Sequence, residues 1–173
     1  AGLAALFGSG VFSGQEGSEP IYTEHTFQYE TDQLAVHFLD VGNADCIFLQ
    51  YNEHTMLIDT GETDAKQAVF DYLQSQGIEQ IETMILTHPD SDHIGNAKAI
   101  LEEIGVSGDL YMTRYEKENQ TFEKLQKAIK KKKCNVVYPE DGDSFSFGPC
   151  KVTFYGPTEA SDDSNSMSLV CKL

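Results

Sequence analysis

The hydrophobic positions of this chain form short runs from Leu34 onward, and the first three runs are typical of β-strands. They read LAVHFLDV, CIFLQY and HTMLID, with the turn segments GNAD and NEH between them. The second and third runs lie close together, and a polar TG stops the third, so this pair predicts a β-hairpin. The regular part of the chain therefore begins with three strands.

After residue 60 the apolar positions recur at helical spacing. The first predicted helix has Thr63 as its N-cap and ends at Gly77. The second ends at Gly105, and the third has Thr121 as its cap. Their apolar faces are, in order, Ala65, Ala68, Val69, Tyr72 and Leu73; Ala97, Ile100, Leu101 and Ile104; and Phe122, Leu125 and Ile129.

Further strand-like runs lie between and after these helices. IETMILT precedes the second helix, DLYMT precedes the third, and CNVVYP, SFSF, KVTFYGP and SLVCKL follow it. Strands that first follow one another and then alternate with helices predict an α/β (α+β) layered sheet with helices on an outer face. Ligand groups in such folds gather at strand ends, where carboxylates occur here at Asp40, Asp59 and Asp90/Asp92.

The first 33 residues differ in composition from the rest. The opening AGLAALFGSGVFSGQ is small, apolar and uncharged, and it is shorter than the ~20 apolar residues that a membrane span needs. It is interpreted as the end of a signal or anchor segment of a secreted or surface-bound protein, or as an ordinary apolar leader. SGQEGSEP then predicts a linker. We expect a leader and linker over residues 1–33 and a domain over residues 34–173.

The charge balance restricts the partners of this domain. Twelve basic and 28 acidic residues give a net charge of −16. Such a surface repels nucleic acid unless a basic patch or metal ions offset it. Half of the basic residues do cluster, and the simplest interpretation of that cluster is a solvated helix face. Its members are Lys124, Lys127 and Lys130–Lys133.

The four cysteines contain no C-x-x-C pair, which argues against a cysteine zinc site. Cys46 and Cys171 lie in apolar, strand-like runs, where a buried free thiol is expected. Cys134 and Cys150 each begin a strand-like run. A disulfide between them is an open alternative, because spacing alone cannot establish one.

The segment THPDSDH, residues 87–93, contains four potential metal ligands at the end of a predicted strand. His88 and Asp90 are two residues apart and can converge, whereas Asp92 and His93 are adjacent and need a sharp turn. A loop with both pairs can face two neighbouring metal ions, which together can activate water and stabilise a phosphoryl displacement. Imidazole and carboxylate suit zinc, and manganese or iron is also compatible. The alternative is that Asp92 caps a helix that begins near Ile94.

Three separated segments together resemble the metallo-β-lactamase fold superfamily, and within it the β-lactamase-like domains of ComEC-type DNA-uptake proteins. They are LAVHFLDVGNADCIFLQ, TMLIDTG and MILTHPDSDHIGN. Most members carry H-x-H-x-D-H, and the ComEC-like branch carries Asp at the second position, as HPDSDH does. The resemblance implies an αββα sandwich with the active site at one edge of its sheets.

The resemblance also implies roles for the residues of the motif. His88 and Asp90 would hold the first metal ion, and Asp92 and His93 the second, most simply as a pair of zinc ions. Asp59 would orient the motif from behind, as residues that support metal ligands do. The family's chemistry is hydrolysis by a metal-bound hydroxide, which Asp92 could also orient. For the ComEC-like branch the implied substrate is a phosphodiester, DNA.

Some positions depart from the family pattern. The family's middle metal-binding histidine would fall near Ser164 or Asn165, and GNAD stands where the family has Gly-Gln-Gly-Asp, with only Asp45 retained. Family domains continue past the segment that matches SNSMSLVCKL with a Gly-Asp turn and further histidines. We therefore expect the N-terminal half to two-thirds of the domain here, with at most two protein ligands per metal, and hence weak metal binding and little or no hydrolysis from this chain alone. His37 and His54 are expected to be structural or exposed.

Three functions are consistent with these features. The first is a metal-dependent hydrolase of phosphodiesters outside the cell. The second is a hydrolase of a small phosphate ester or thioester, which suits the acidic surface better. The third is a surface or binding module that has kept the fold and lost a complete site. No stable membrane span is expected within the chain.

Overall fold

The structure is a computed structural model that describes residues 3–6 and 32–173. The predicted linker SGQEGSEP lies outside the described residues, as does most of the predicted leader. Leu3–Leu6 of that leader form a strand, β1. Across the part of the chain that the structure describes, no helix has both the length and the apolar character to cross a membrane.

A seven-stranded sheet forms the centre of the molecule, in the order β1-β2-β3-β4-β5-β6-β7. The strands β2, β3 and β4 pair antiparallel, as the sequence predicts, whereas β1 pairs parallel to β2 and β4 to β7 pair parallel to one another. The bounds of β2 to β7 are Leu34–Phe38, Ile47–Tyr51, His54–Ile58, Thr83–Leu86, Asp109–Met112 and Asn135–Val137.

Parallel neighbours require crossover connections, and the helices supply them. Helix α1 lies between β4 and β5, and α4 lies between β6 and β7. The connection from β5 to β6 contains two short helices, α2 and α3, and a π-helix over Ile100–Ile104. The bounds of α1 to α4 are Lys66–Ser75, Ser91–Ile94, Ala97–Ala99 and Gln120–Lys132.

A second, three-stranded sheet packs on the other side. Its strands pair antiparallel in the order β10-β9-β8, and they span Ser144–Phe147 (β8), Cys150–Tyr155 (β9) and Val170–Lys172 (β10). Alternation along β5 shows how the layers are built. Met84 and Leu86 lie in the core on the helix side, whereas Ile85 lies in the core beneath the second sheet. This order of helices, sheet and sheet agrees with the predicted α/β class.

The helix ends differ in part from the predictions. Gly77 and Gly105 follow the helical segments with φ of 69° and 91°, as predicted. Thr63, however, lies inside a 3-10 turn, so it is not the cap of α1. Thr121 lies inside α4, where Asn119 is the N-cap, since its side chain accepts a hydrogen bond from the Phe122 N–H at 2.7 Å. Asn119 has the extended backbone that a cap requires.

The clustered lysines lie at the surface, and Cys134 and Cys150 lie on opposite sides of the seven-stranded sheet. All six clustered lysines of α4 and its end are exposed, which confirms a solvated helix face. The alternative of a Cys134–Cys150 disulfide is wrong, because both thiols are free. Cys134 packs on the helix side of the seven-stranded sheet and Cys150 beneath the second sheet, so the sheet separates them.

Candidate metal centre

The motif lies where two parallel strands end at the same edge of the sheet. Strand β4 leads directly into Asp59, and β5 leads into Thr87 and His88. The Asp59 N–H donates to the Ile85 carbonyl at 2.9 Å, and the Thr60 N–H donates to the His93 carbonyl at 2.7 Å. These backbone hydrogen bonds hold the end of β4 against the whole turn from β5 into α2.

Asp59 lies at the centre of the hydrogen bonds that fix this turn. Its Oδ1 accepts from the Thr87 N–H at 2.8 Å, and its Oδ2 accepts from the Thr87 hydroxyl at 2.6 Å. The same Oδ2 lies 2.8 Å from His93 Nδ1. Because an ionised carboxylate only accepts hydrogen bonds, a neutral His93 has its proton on Nδ1 and a lone pair on Nε2. Asp59 thus contacts both Thr87 and His93.

The effect of Asp59 extends to His88 through Thr87. The Thr87 hydroxyl gives its proton to Asp59, so its oxygen can accept from His88 Nδ1, which lies 3.1 Å away. That tautomer leaves a lone pair on His88 Nε2. This atom is buried and, among the described residues, has no hydrogen-bond partner. An orphaned buried nitrogen calls for an explanation, and an absent metal ion is one.

The two ligand pairs of the motif are close in space. His88 Nε2 lies 4.0 Å from Asp90 Oδ2, and His93 Nε2 lies 3.7 Å from Asp92 Oδ2. The two imidazole rings have their centroids 3.9 Å apart, so the pairs lie side by side. Asp92 lies within the first turn of α2, and Asp90 is its N-cap residue, so the alternative of Asp92 as the cap is wrong.

These distances are compatible with divalent ions. A zinc–nitrogen or zinc–oxygen bond is about 2.0–2.2 Å long, so two donors of a tetrahedral ion lie about 3.4 Å apart. The pairs, at 4.0 and 3.7 Å, would close by a few tenths of an ångström around such an ion. Within the described residues, no group of three or more His, Cys, Asp or Glu side chains is gathered as a metal site. The donor types of each pair, an imidazole nitrogen and a carboxylate oxygen, are those that zinc binds in proteins.

Lys117 is a site residue that the sequence analysis missed. Its Nζ lies 2.7 Å from Asp90 Oδ1 and 3.4 Å from the Ser164 hydroxyl. Ser164 is buried, and its side chain also hydrogen-bonds to Asp90. No motif marks Lys117, which is 27 residues from Asp90 and reaches it only through the fold.

The environment shifts the pKa values of these groups in different directions. Burial, followed by the neighbouring His93, lowers the pKa of His88. Burial also disfavours charge on His93, but the hydrogen bond and charge of Asp59 outweigh it and raise the pKa. For Asp90, burial opposes ionisation, yet the hydrogen bonds from Lys117 and Ser164 prevail and lower the pKa. His88 is consequently the more readily neutral imidazole, as a metal ligand must be.

The segment GNAD also touches the motif. The Asp45 N–H donates to the Asp92 carbonyl at 3.3 Å, and Asp45 Oδ2 lies 3.8 Å from His93 Nδ1. Two-thirds of that side chain is exposed, so Asp45 borders the site. His37 and His54 are placed as expected. His37 is buried and contacts Tyr72, and His54 is half-buried and pairs with Glu82 at 2.8 Å.

A comparison with a curated protein finds ComE operon protein 3 of Bacillus subtilis (strain 168). It is 31% identical over 85 residues, and the match covers 39% of this chain and 11% of that protein. The chain thus spans a small part of this relative's length. The match supports the ComEC-like relationship that the sequence motifs imply.

Solved structures share the fold at low sequence identity. A B3 metallo-β-lactamase with an active-site glutamic acid has a TM-score of 0.57 at 14% identity, covering 79% of this chain and 53% of that one. The flavodiiron protein of Giardia intestinalis has a TM-score of 0.54 at 14% identity, covering 74% and 30%. A Cronobacter sakazakii metallo-β-lactamase has a TM-score of 0.52 at 14% identity, covering 70% and 49%.

The family model for the metallo-β-lactamase superfamily matches residues 39–162, well over half of the chain. The matched span includes every residue of the HPDSDH motif together with Asp59 and Lys117. The predicted fold class is confirmed by this match and by the solved structures. This chain belongs to the metallo-β-lactamase superfamily.

Proposed function

We propose that the chain is part of a metal-dependent hydrolase of the ComEC-like type that cleaves phosphodiester bonds, with DNA as its substrate, outside the cell. The observation that carries the proposal is the buried, unpartnered Nε2 of His88, which faces Asp90 Oδ2 at 4.0 Å. A satisfied structural histidine would have a partner for that nitrogen. A metal ligand keeps it free.

His88 and Asp90 would hold one divalent ion, and Asp92 and His93 would hold the second. Zinc is proposed for both, and manganese or iron suits the same donors. When bound, such ions supply a nucleophilic water at neutral pH and neutralise charge on a phosphoryl group. The chain's own part is to orient both imidazoles so that, in the neutral rings, Nε2 is the free nitrogen, which Asp59 does through its contacts to Thr87 and His93.

Asp92 is proposed as the residue that acts on the reacting water. Its side chain is 42% exposed, whereas the His93 beside it is 13% exposed, so its second carboxylate oxygen can reach solvent at the site. A carboxylate there can orient a water molecule and accept its proton. Asp45 adds a further exposed carboxylate at the border of the site.

The curated match supports a location outside the cell and the type of substrate, because it is to ComE operon protein 3. The net charge of −16 opposes DNA binding at long range, so DNA contact would depend on bound metal ions and on the exposed lysines of α4.

That acidic charge favours a second candidate function, hydrolysis of a small phosphate ester or thioester, because a small substrate needs little surface contact.

The number of metal ligands favours a third candidate function, a binding module without catalysis. Only two protein ligands face each metal position within the described residues, which suits a binding module that does not catalyse.

The test is an assay of the full-length protein that contains this chain, with Mn²⁺ or Zn²⁺ supplied. The substrates are single-stranded DNA, double-stranded DNA, a small phosphodiester and a thioester. DNA cleavage that falls by at least about 100-fold in Asp92→Asn supports the proposal, since removal of a catalytic base has an effect of that size. Asp71→Asn is the matched control, because Asp71 lies on the exposed face of α1.

Cleavage of only the small esters would contradict DNA hydrolysis and support the second candidate function. Failure to cleave any substrate, with stoichiometric metal bound, would leave the third. Cleavage that is equal in Asp92→Asn and wild type would exclude this site as its source.

A further inference from the structure

Lys117 and His88 lie next to different oxygens of the Asp90 carboxylate. Asp90 Oδ1 lies 2.7 Å from Lys117 Nζ, and Asp90 Oδ2 faces the orphaned His88 Nε2 at 4.0 Å. The Asp90 side chain is only 18% exposed. With one oxygen held by the ammonium group, the other is left for a second partner in the direction of His88.

The loop that contains Lys117 is tied to the motif on both sides. Asn119 caps α4 and also donates from Nδ2 to the Pro89 carbonyl at 3.2 Å. The Tyr115 hydroxyl donates to the Asp162 carbonyl at 2.8 Å, close to the Ser164 that Lys117 contacts. These bonds fix the loop between the end of β5 and the segment before β10. Lys117 therefore lies in a loop that is hydrogen-bonded on both sides of it.

We propose that Lys117 is a positioning residue for the first metal ion. It partly occupies the space expected for the family's middle metal-binding histidine. The inference rests on the metal site proposed above. The ammonium group fixes the Asp90 carboxylate so that Oδ2 alone faces His88 Nε2, where an ion would lie. Ser164, at the histidine position, holds the ammonium in turn.

Two effects of Lys117 on an ion oppose each other. The ammonium repels a divalent cation, and it orients a ligand of that cation. The orienting effect prevails because Lys117, at 2.7 Å, is the cation that holds Asp90, and the Ser164 hydroxyl that also contacts Asp90 is uncharged. Without Lys117, a largely buried carboxylate oxygen loses its cation, and the side chain can turn toward solvent, away from His88. Loss of such an orienting partner commonly weakens metal binding by about 10- to 100-fold.

The experiment measures metal binding rather than hydrolysis. Zn²⁺ and Co²⁺ are titrated into metal-free wild type, Lys117→Met, Lys117→Arg and the control Lys124→Met, which alters an exposed lysine of α4. We expect about 10- to 100-fold weaker binding of one ion in Lys117→Met, with the other ion unaffected. We also expect a changed Co²⁺ absorption spectrum, partial rescue in Lys117→Arg, and wild-type behaviour in Lys124→Met.

Equal or tighter binding in Lys117→Met overturns the inference and leaves the proposed function in place, because Lys117 would then be neutral or a competitor of the ion. Weaker binding of both ions together with a lower metal-free melting temperature also overturns it, since that result describes a general structural role. A wild type that binds no metal overturns both the inference and the proposed function.

Discussion

Asp59 Oδ2 lies 2.8 Å from His93 Nδ1, and through this contact a residue at the end of β4 sets the proton position of a histidine 34 residues later. Asp59 has a positive φ of 55°, which asparagine tolerates better than other non-glycine residues. Asp59→Asn consequently keeps the backbone but places an amide group where only acceptors fit. We expect about 10- to 100-fold weaker metal binding, measured by calorimetric titration.

The exposed Asp64→Asn makes a suitable control for that variant, because Asp64 lies on a 3-10 turn and has no contact with the motif. If Asp59→Asn binds metal as tightly as Asp64→Asn, then Asp59 does not set the histidine tautomers.

The orphaned His88 nitrogen predicts a trade-off between metal binding and stability. A buried polar atom without a partner costs about 1–3 kcal/mol, so in the metal-free protein His88→Leu should be as stable as wild type or more stable. With metal at about 100 times its dissociation constant, the wild type should gain up to about 2.7 kcal/mol and His88→Leu should gain much less. Thermal unfolding with EDTA and with Zn²⁺ measures both. A metal-free His88→Leu that is clearly destabilised would indicate that the nitrogen has a structural partner.

Burial of His37 predicts a dependence of stability on pH. Burial lowers the pKa of His37 from 6.5 to about 4, so the unfolded chain takes up this proton at a higher pH than the folded one. The associated stability is fully present above pH 6.5, falls as the pH drops toward 4, and changes no further below that. The slope from this residue is at most about 1.4 kcal/mol per pH unit.

The measurement is urea unfolding between pH 7 and pH 4.5. Because His37 contacts the Tyr72 hydroxyl, the reference is the double variant His37→Phe/Tyr72→Phe, which removes both groups. We expect the stability of the wild type to fall more steeply with acid than that of the double variant. Parallel curves for the two proteins would contradict the prediction.

The close contact between the TG segment and α2 predicts that Gly95 cannot be replaced. A Cβ atom at Gly95 would lie 2.6 Å from both the Gly61 carbonyl oxygen and the Thr63 nitrogen, and neither backbone atom can move freely. Gly95→Ala should lower the free energy of unfolding by about 1–3 kcal/mol, as overpacking does. It should also weaken metal binding, because the turn around His93 must shift.

Gly42→Ala is the control for Gly95→Ala, because it introduces backbone strain without a steric clash. Gly42 has a positive φ of 74° and open space around it, so alanine there brings strain of roughly 1–2 kcal/mol without a clash. We expect its metal affinity to stay at the wild-type value. A Gly95→Ala protein that binds metal equally well would show that the turn tolerates the shift.

The sequence predicted the strands, the helices and the fold class because these depend on periodic patterns within short segments. Met84, Ile85 and Leu86, for example, alternate between two cores, and such an apolar run bounded by polar residues predicts a buried strand. The positions of helix caps were less predictable. Asn119 and Thr121 are both good cap residues, and only the backbone conformation at Asn119 decides between them.

Candidate site residues could be named from the sequence where they are close together along the chain, and not where only the fold brings them together. His88 to His93 form a local motif, and the resemblance supplied Asp59. Lys117 has no such signal, because its approach to Asp90 depends on how the loop after β6 packs. Thr87 belongs to the quoted motif, but its hydrogen bonds to Asp59 and His88 can be recognised only in the three-dimensional structure.

The compactness of the motif in sequence has a consequence for the energetics of metal binding. All four proposed ligands lie within six residues, so the unfolded chain keeps them near one another at little entropic cost. The unfolded state can therefore also bind metal, which reduces the stability gained from a given native affinity. What folding adds is chiefly the choice of tautomer and direction, through Asp59 and Lys117. We therefore expect metal binding to change the conformation of the motif more than it raises the free energy of unfolding of the domain.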